Sequence, residues 1–234
     1  MIHGIPLTDI AAFAAFIVLW VGYTLAADHY TGLGRSLSAV MGRHRKVWMR
    51  AMCDRENRVA DTSILGNLMR SVAFFASASL LVVGGLAALL GSAEKGYEVY
   101  RGLGIGQGGS MASFELKVIL LVCVFVYTFF QFTWSLRQFN YCCILMGSAP
   151  MPTAADAAKE TFAVQAARLQ ALAANSFNRG LRAYYFALAM LGWFVHAWVF
   201  LAAAAVVAAI LFRREFHSKS LKALAAVLEE REAR

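Results

Sequence analysis

Four long apolar segments constrain this chain more than any other feature of its sequence. They cover residues 7–27, 64–90, 114–134 and 183–212. A helix of about 20 apolar residues crosses the hydrocarbon core of a bilayer and satisfies its own backbone amides there. Only 15% of the residues are charged, whereas soluble domains contain about 25%. The sequence therefore predicts an all-α, polytopic helical bundle with about four transmembrane helices, forming a single domain in the cell inner membrane.

Cationic residues are concentrated between the first two spans. Seven Lys or Arg residues lie between positions 28 and 63, and none lies in the first eight residues. This contrast predicts an N-terminus outside and a cytoplasmic segment at residues 36–63. It also argues against a cleavable signal peptide, which begins with a positive region. Apolar residues recur at helical spacing within 36–63, which predicts an amphipathic surface helix.

The second half of the chain repeats this layout. Residues 153–179 form a helical pattern that follows the third span and is too polar to cross a membrane, so we predict a second cytoplasmic helix. Aligning Asn67 with Asn178 also matches aromatic and alanine positions downstream. These matches indicate two similar halves, related by an axis normal to the membrane.

The segments outside the predicted membrane core differ in charge. Residues 92–113 are rich in glycine and contain few cations, so we interpret them as a flexible, non-cytoplasmic linker. Lys117 follows near the outer end of the third span, where it can reach the interface. Four spans would place residues 213–234 outside, although this tail contains six cations. The tail therefore conflicts with the predicted orientation.

Charged and amide side chains are concentrated at the inner end of the second span, and similar residues recur near the fourth span. Arg58 precedes Asp61 by three residues. Asn67 precedes Arg70 by the same interval, and such pairs share a helical face. We predict that these four residues form one connected group. Asp54, Arg58 and Asp61 also share a helical face, and for them a solvated ladder of ion pairs and a gate or docking site are both open. The candidate residues are Asp54, Arg55, Asn57, Arg58, Asp61, Asn67, Arg70, Asn178, Arg182 and His196.

Arg70 and His196 are ionisable residues within predicted spans. Arg70 lies about 9 Å into its helix, so it can extend to the interface or pair inside the protein. His196 falls at mid-span. A packed neutral histidine and a proton-transfer or metal-binding role are both open for it.

Small residues form a stripe along the second span. Ala73, Ser77, Gly84 and Ala88 recur at intervals of four and seven residues, which lets a second helix approach closely. We predict that this stripe packs against another helix, within the bundle or in an oligomer. The expected partners are the lipid bilayer and either a second copy of the chain or another membrane protein.

No catalytic, cofactor or metal site emerges from the sequence. The cysteines lack the spacing of metal ligands or disulfides, and we expect them to be small buried hydrophobes. They are Cys53, Cys123, Cys142 and Cys143. The formal net charge of +8 fits anionic lipid headgroups better than nucleic acid, because nucleic-acid-binding motifs are missing.

Three stretches resemble a known family. Residues 54–61 are Asp-Arg-Glu-Asn-Arg-Val-x-Asp, residues 66–77 are Gly-Asn-Leu-Met-Arg-Ser-Val-Ala-Phe-Phe-Ala-Ser, and residues 178–187 are Asn-Arg-Gly-Leu-Arg-Ala-Tyr-Tyr-Phe-Ala. On these motifs the chain, from about residue 10 to about residue 215, resembles domain of unknown function 599, a family of uncharacterised bacterial and plant membrane proteins. The resemblance implies a membrane fold and brings no activity, cofactor or catalytic residue.

Three classes of function are compatible with these features. The first is a small channel or transporter that acts as an oligomer, favoured by polar residues that enter two corresponding spans. The second is a non-catalytic scaffold or accessory subunit of a membrane complex. A membrane enzyme ranks last, because no nucleophile order, metal cluster or carboxylate pair is present at a defined depth. We therefore expect no enzymatic activity.

Overall fold

The computed structural model describes residues 6–34, 36–102, 104 and 109–232, and its regular structure there is entirely helical. A short 3₁₀ helix at Leu191–Phe194 separates the sixth and seventh α-helices. The α-helices are α1 (Leu7–Gly32), α2 (Leu37–Cys53), α3 (Val59–Gly91), α4 (Ala93–Gly102), α5 (Met111–Gly147), α6 (Asp156–Met190), α7 (Ala197–Phe216) and α8 (Lys219–Glu232). The predicted all-α bundle is confirmed.

Four helical segments are apolar and long enough to cross a membrane. They are Leu7–Gly32, Val59–Gly91, Met111–Gly147 and part of Ala197–Arg231. Large apolar side chains are exposed along them, including Val18, Leu81 and Trp198, each more than two-thirds exposed. Apolar surface of this extent is suited to contact with lipid rather than with water.

The chain divides into two compact units, and five helices contribute residues to both. Unit 1 comprises Met1–Ala26, Ser77–Phe130 and Arg179–Phe212, and unit 2 comprises Ala27–Ala76, Gln131–Asn178 and Arg213–Arg234. Each unit therefore draws on both halves of the sequence. The two halves also differ locally, because α2 and α3 are separate helices whereas α6 is continuous over the corresponding region.

Unit 1 is built around a buried aromatic core. The ring of Phe16 in α1 packs against Phe186 of α6 and Phe200 of α7, with centroid distances of 5.8 and 4.8 Å. Trp193 stacks on Phe13 and on Phe200 at 5.4 and 5.0 Å. These aromatic contacts join α1 to both α6 and α7.

The predicted fourth span is not one helix, because the chain turns back at residues 191–196. In a continuous helix, residues 186 and 200 would lie about 21 Å apart, yet both rings contact Phe16. Gly192 permits the close turn, since a Cβ atom there would lie 3.3 Å from backbone atoms of Phe200. The C-terminal part of α6 and the N-terminal part of α7 thus form a helical hairpin within unit 1.

Unit 2 brings the C-terminal helix against α2. His44 Nε2 forms a hydrogen bond of 2.9 Å with the carbonyl oxygen of Leu224 in α8. The amide of Ser38 donates to Glu215 Oε1 at 3.0 Å. Helices α2 and α8 are therefore in contact within unit 2.

Helix α4 occupies part of the segment for which we predicted a flexible linker. Tyr97 and Tyr100 of α4 pack against Phe114 of α5, with ring centroids 5.9 and 5.4 Å apart. Contacts between aromatic rings stabilise this helix in spite of its glycines. Residues 103 and 105–108 of the predicted linker lie outside the described residues.

Candidate functional site

Asp54 lies at the centre of an ionic cluster in unit 2. Its carboxylate accepts hydrogen bonds from Arg50 at 2.7 Å and from Lys159 at 2.9 Å. These two cations, Arg50 foremost, lower the pKa of Asp54. Arg50 also pairs with Asp156 at 2.7 Å. The cluster therefore connects the end of α2 with the start of α6, a long-range contact that helical spacing does not predict.

Asp61 is fully buried in the first turn of α3. Its Oδ1 accepts hydrogen bonds from Trp48 Nε1 at 2.6 Å and from Arg55 Nη1. Its Oδ2 has no hydrogen-bond partner among the described residues. Arg58 donates instead to the carbonyl oxygens of residues 149–150. The predicted pairing of Arg58 with Asp61 is not formed, because Arg58 precedes α3 and its side chain reaches the segment after α5.

Asn67 and Arg70 form a separate pair. Arg70 donates to Asn67 Oδ1, and both residues are exposed. No contact between described residues joins this pair to Asp61. The four residues predicted as one connected group are therefore divided between two sets of contacts. An exposed Arg70 favours extension to the membrane interface over pairing inside the protein.

The two remaining asparagine candidates have local surroundings that differ from each other. Asn57 Oδ1 accepts a 2.9 Å hydrogen bond from the first amide of α3, so it helps to start that helix. Asn178 Nδ2 donates to Ser38 Oγ at 3.3 Å in unit 2. Asn178 is half-buried, whereas Asn67, its counterpart in the predicted repeat, is exposed.

Arg182 is a buried cation in the part of α6 that belongs to unit 1. Its exposed fraction is 7%. The guanidinium donates to the carbonyl oxygen of Thr24 at 3.4 Å and lies 6.0 Å from the ring centroid of Tyr23. Arg182 thus joins α6 to α1 through a hydrogen bond and a cation–π contact.

A second polar site in unit 1 involves residues that we did not predict as a site. Lys117 Nζ lies 3.0 Å from Asp9 Oδ2, and the two residues are 8% and 7% exposed. Lys117 also donates to the carbonyl oxygen of Trp193 at 3.2 Å and lies 5.3 Å from its ring centroid. Ser113 Oγ donates to the same Asp9 oxygen at 3.3 Å. Two opposite charges are therefore held together in a largely apolar unit.

A cavity of about 230 Å³ borders this ion pair, and His196 and Tyr100 also line it. His196 is exposed in the turn between α6 and α7, not at mid-span as predicted, because the chain reverses there. Its Nδ1 accepts a 3.2 Å hydrogen bond from the amide of Trp198. His196 therefore caps the start of α7.

The sequence did not reveal the ion pair, because each of its two residues has an ordinary explanation within its own span. Lys117 stands near the end of an apolar segment, where a lysine commonly reaches water. The available signal was the presence of Asp9 near the corresponding end of another span. The hairpin that brings Trp193 to Lys117 has no local signature beyond Gly192.

The predicted packing stripe lies on an open face of α3. Ser77, Gly84 and Ala88 are exposed and Ala73 is half-buried. No described atom outside the neighbouring helix backbone lies within 4 Å of the Cβ position at Gly84. At Gly84 the stripe therefore contacts no other helix among the described residues, and its packing against another chain stays a prediction.

The possible metal ligands and the thiols of the described residues are arranged as follows. No group of three His, Cys, Asp or Glu residues is placed there to hold a metal ion. The four cysteines are free. Cys53 and Cys142 are buried as expected, whereas Cys123 and Cys143 are exposed. Burial raises the pKa of the Cys53 thiol, which lowers its reactivity.

The apolar helices expose faces that are suited to contact with lipid, and charged residues are concentrated at the ends of those helices. These features define a multi-pass α-helical membrane protein. The chain belongs to the DUF599 family. The model of that family, described as Protein of unknown function, DUF599, matches residues 11–220, which confirms the resemblance carried by the three motifs. No curated protein and no solved structure matches the chain.

Proposed function

We propose that the protein is a small channel or transporter of the inner membrane. The observation that supports this function is the buried pair of Asp9 and Lys117 beside a cavity of about 230 Å³. Charges within membrane-spanning helices are costly and are found mainly on the paths of ions, protons or solutes. The cavity has room for several water molecules or for a small polar solute.

We infer that α2 and α8 face the cytoplasm. Seventeen of the 22 Lys and Arg residues belong to unit 2, and segments rich in Lys and Arg are retained on the cytoplasmic side. The contact between His44 and Leu224 supports the same compartment for the C-terminal tail, because helices that are in contact lie on the same side of a membrane. A cytoplasmic tail would agree with its six cations.

The alternative function is a non-catalytic scaffold or accessory subunit. Its support is the exposed stripe of Ser77, Gly84 and Ala88, which would let a helix of another membrane protein approach closely. The same stripe would equally serve an oligomeric transporter. The stripe alone therefore does not separate the two functions, and a measurement of flux is needed.

Flux through the purified protein separates these functions. Proteoliposomes would be shocked with potassium chloride, sodium acetate, glycine or glycerol, and the recovery of their volume followed by light scattering. We expect at least one of these solutes to enter faster than into protein-free vesicles, and Asp9→Asn to slow its entry. Vesicles that behave as protein-free vesicles with all four solutes would favour the scaffold.

A further inference from the structure

A pocket in unit 2 combines cationic and apolar walls. Its volume is about 600 Å³, and it lies among α2, α6 and α8. The charged lining residues are Arg43, Lys46, Arg50, Arg231, Asp54 and Glu160. Cations thus outnumber carboxylates in the lining by two, which favours an anionic ligand.

Both carboxylates of the lining are already engaged by cations from α2. Lys46 pairs with Glu160 at 2.7 Å. Arg50 pairs with Asp54 at 2.7 Å. These contacts hold Lys46 and Arg50 in place along one side of the pocket. Arg231 lies on α8 and is exposed. Helices α2 and α8 would therefore each present cationic side chains to a bound anion.

The apolar part of the lining limits the kind of anion that fits. Val47 and Ala51 of α2 and Leu228 of α8 lie among the cations, and Leu228 is only 3% exposed. Arginine guanidinium groups form paired, charge-assisted hydrogen bonds with phosphate oxygens. Both terminal nitrogens of Arg50 already donate to Asp54 and Asp156. Arg43 and Arg231 beside an apolar wall therefore suit a phosphate group, with or without an attached hydrocarbon portion.

We propose that this pocket binds a phosphate-bearing ligand. The phosphate would lie between the guanidinium groups of Arg43 in α2 and Arg231 in α8, and any hydrocarbon portion would contact Val47 and Leu228. Two sources supply this chemistry, namely the headgroup of an anionic phospholipid and a soluble phosphate compound. The site is distinct from the cavity beside Asp9 and Lys117, and it does not depend on transport.

Calorimetric titration of the full-length protein in detergent tests the proposal with two probes. Dihexanoylphosphatidylglycerol represents the lipid headgroup, and sodium pyrophosphate represents a soluble phosphate. Dihexanoylphosphatidylcholine, which has no net charge, is the comparison. Binding of the phosphatidylglycerol alone would identify a lipid site, and binding of pyrophosphate would identify a soluble ligand. If neither probe binds, the proposal is overturned.

Matched variants test the position of the site. We expect Arg43→Gln with Arg231→Gln to weaken binding about tenfold, because charge-assisted hydrogen bonds to phosphate are lost. The control is Lys219→Gln with Lys222→Gln, which removes the same charge from exposed positions of α8 outside the lining. Equal weakening by the two double variants would overturn the site, since it would indicate only general attraction.

A third variant is expected to strengthen binding of the ligand. Damage to the fold would not produce that result. Glu160→Gln removes the carboxylate that pairs with Lys46. The freed ammonium group should strengthen binding by about threefold to tenfold at low salt. Weaker or unchanged binding in this variant would overturn the assignment of the phosphate to this pocket, which Lys46 lines.

Discussion

Lys117 Nζ lies 3.0 Å from Asp9 Oδ2, and both residues are more than nine-tenths buried between α5 and α1. An isolated charge in such surroundings costs several kcal/mol, and a partner of opposite charge with further hydrogen bonds offsets much of that cost. Ser113 and the carbonyl oxygen of Trp193 supply those further bonds. Each of the two charges therefore depends on the other.

Removal of either charge should destabilise the protein. We expect Lys117→Gln and Asp9→Asn each to lower the free energy of unfolding by about 3 kcal/mol, because each leaves a buried charge without its partner. The double variant should lose less than the sum of the single effects. Denaturant unfolding in detergent supplies the double-mutant cycle. Additive effects would mean that the two charges do not interact.

The hairpin at residues 191–196 should require glycine at position 192. A Cβ atom there would lie 3.3 Å from backbone atoms of Phe200, so we expect Gly192→Ala to lower the free energy of unfolding by about 1 to 3 kcal/mol. Gly84→Ala is the matched control, because its Cβ would meet open space and alanine favours the helix. Equal stability of the two variants would contradict the close turn.

The C-terminal helix should be accessible from the cytoplasm only. In a background without native cysteines, single cysteines would be introduced at the exposed positions Glu98, Ala158 and Ser220. We expect an impermeant thiol reagent added to intact cells to label position 98, and positions 158 and 220 only after permeabilisation. Labelling of position 220 from outside would contradict the cytoplasmic location that we propose for α8.

The small-residue stripe should mediate contact between chains. We expect Gly84→Leu to reduce the oligomer mass measured in detergent by light scattering, because a leucine would hold the partner backbone away. Gly22→Leu on α1 is the control, since that glycine is also exposed with open space at its Cβ. An unchanged mass for Gly84→Leu would indicate that this face contacts lipid.

The features that the sequence predicted correctly are those decided by neighbours along one helix. Runs of apolar residues predict the membrane-length helices, because burial in lipid requires only length and hydropathy. The basic segment 36–63 predicts an amphipathic helix, which the structure contains as α2. The family resemblance likewise rests on short local motifs.

The features that escaped prediction depend on contacts between distant segments. Residues 183–212 are nearly uniformly apolar, so hydropathy does not reveal the turn at residue 191. The ion-pair partner of Asp61 is Arg55 and not Arg58, because helix α3 begins one residue after Arg58. Asp9 and Lys117 are more than 100 residues apart in the chain, and only the packing of α1 against α5 brings them together.

The most direct test of a transport role is the solute flux of Lys117→Gln compared with that of Lys95→Gln. Both variants remove one cation from unit 1, but Lys95 is exposed on α4 and does not line the cavity. For a solute that the unsubstituted protein passes into proteoliposomes, we expect Lys117→Gln to lower the rate by about tenfold or more and Lys95→Gln to change it by less than about twofold. Equal rates in the two variants, at equal amounts of folded protein, would contradict a role for the buried ion pair in transport.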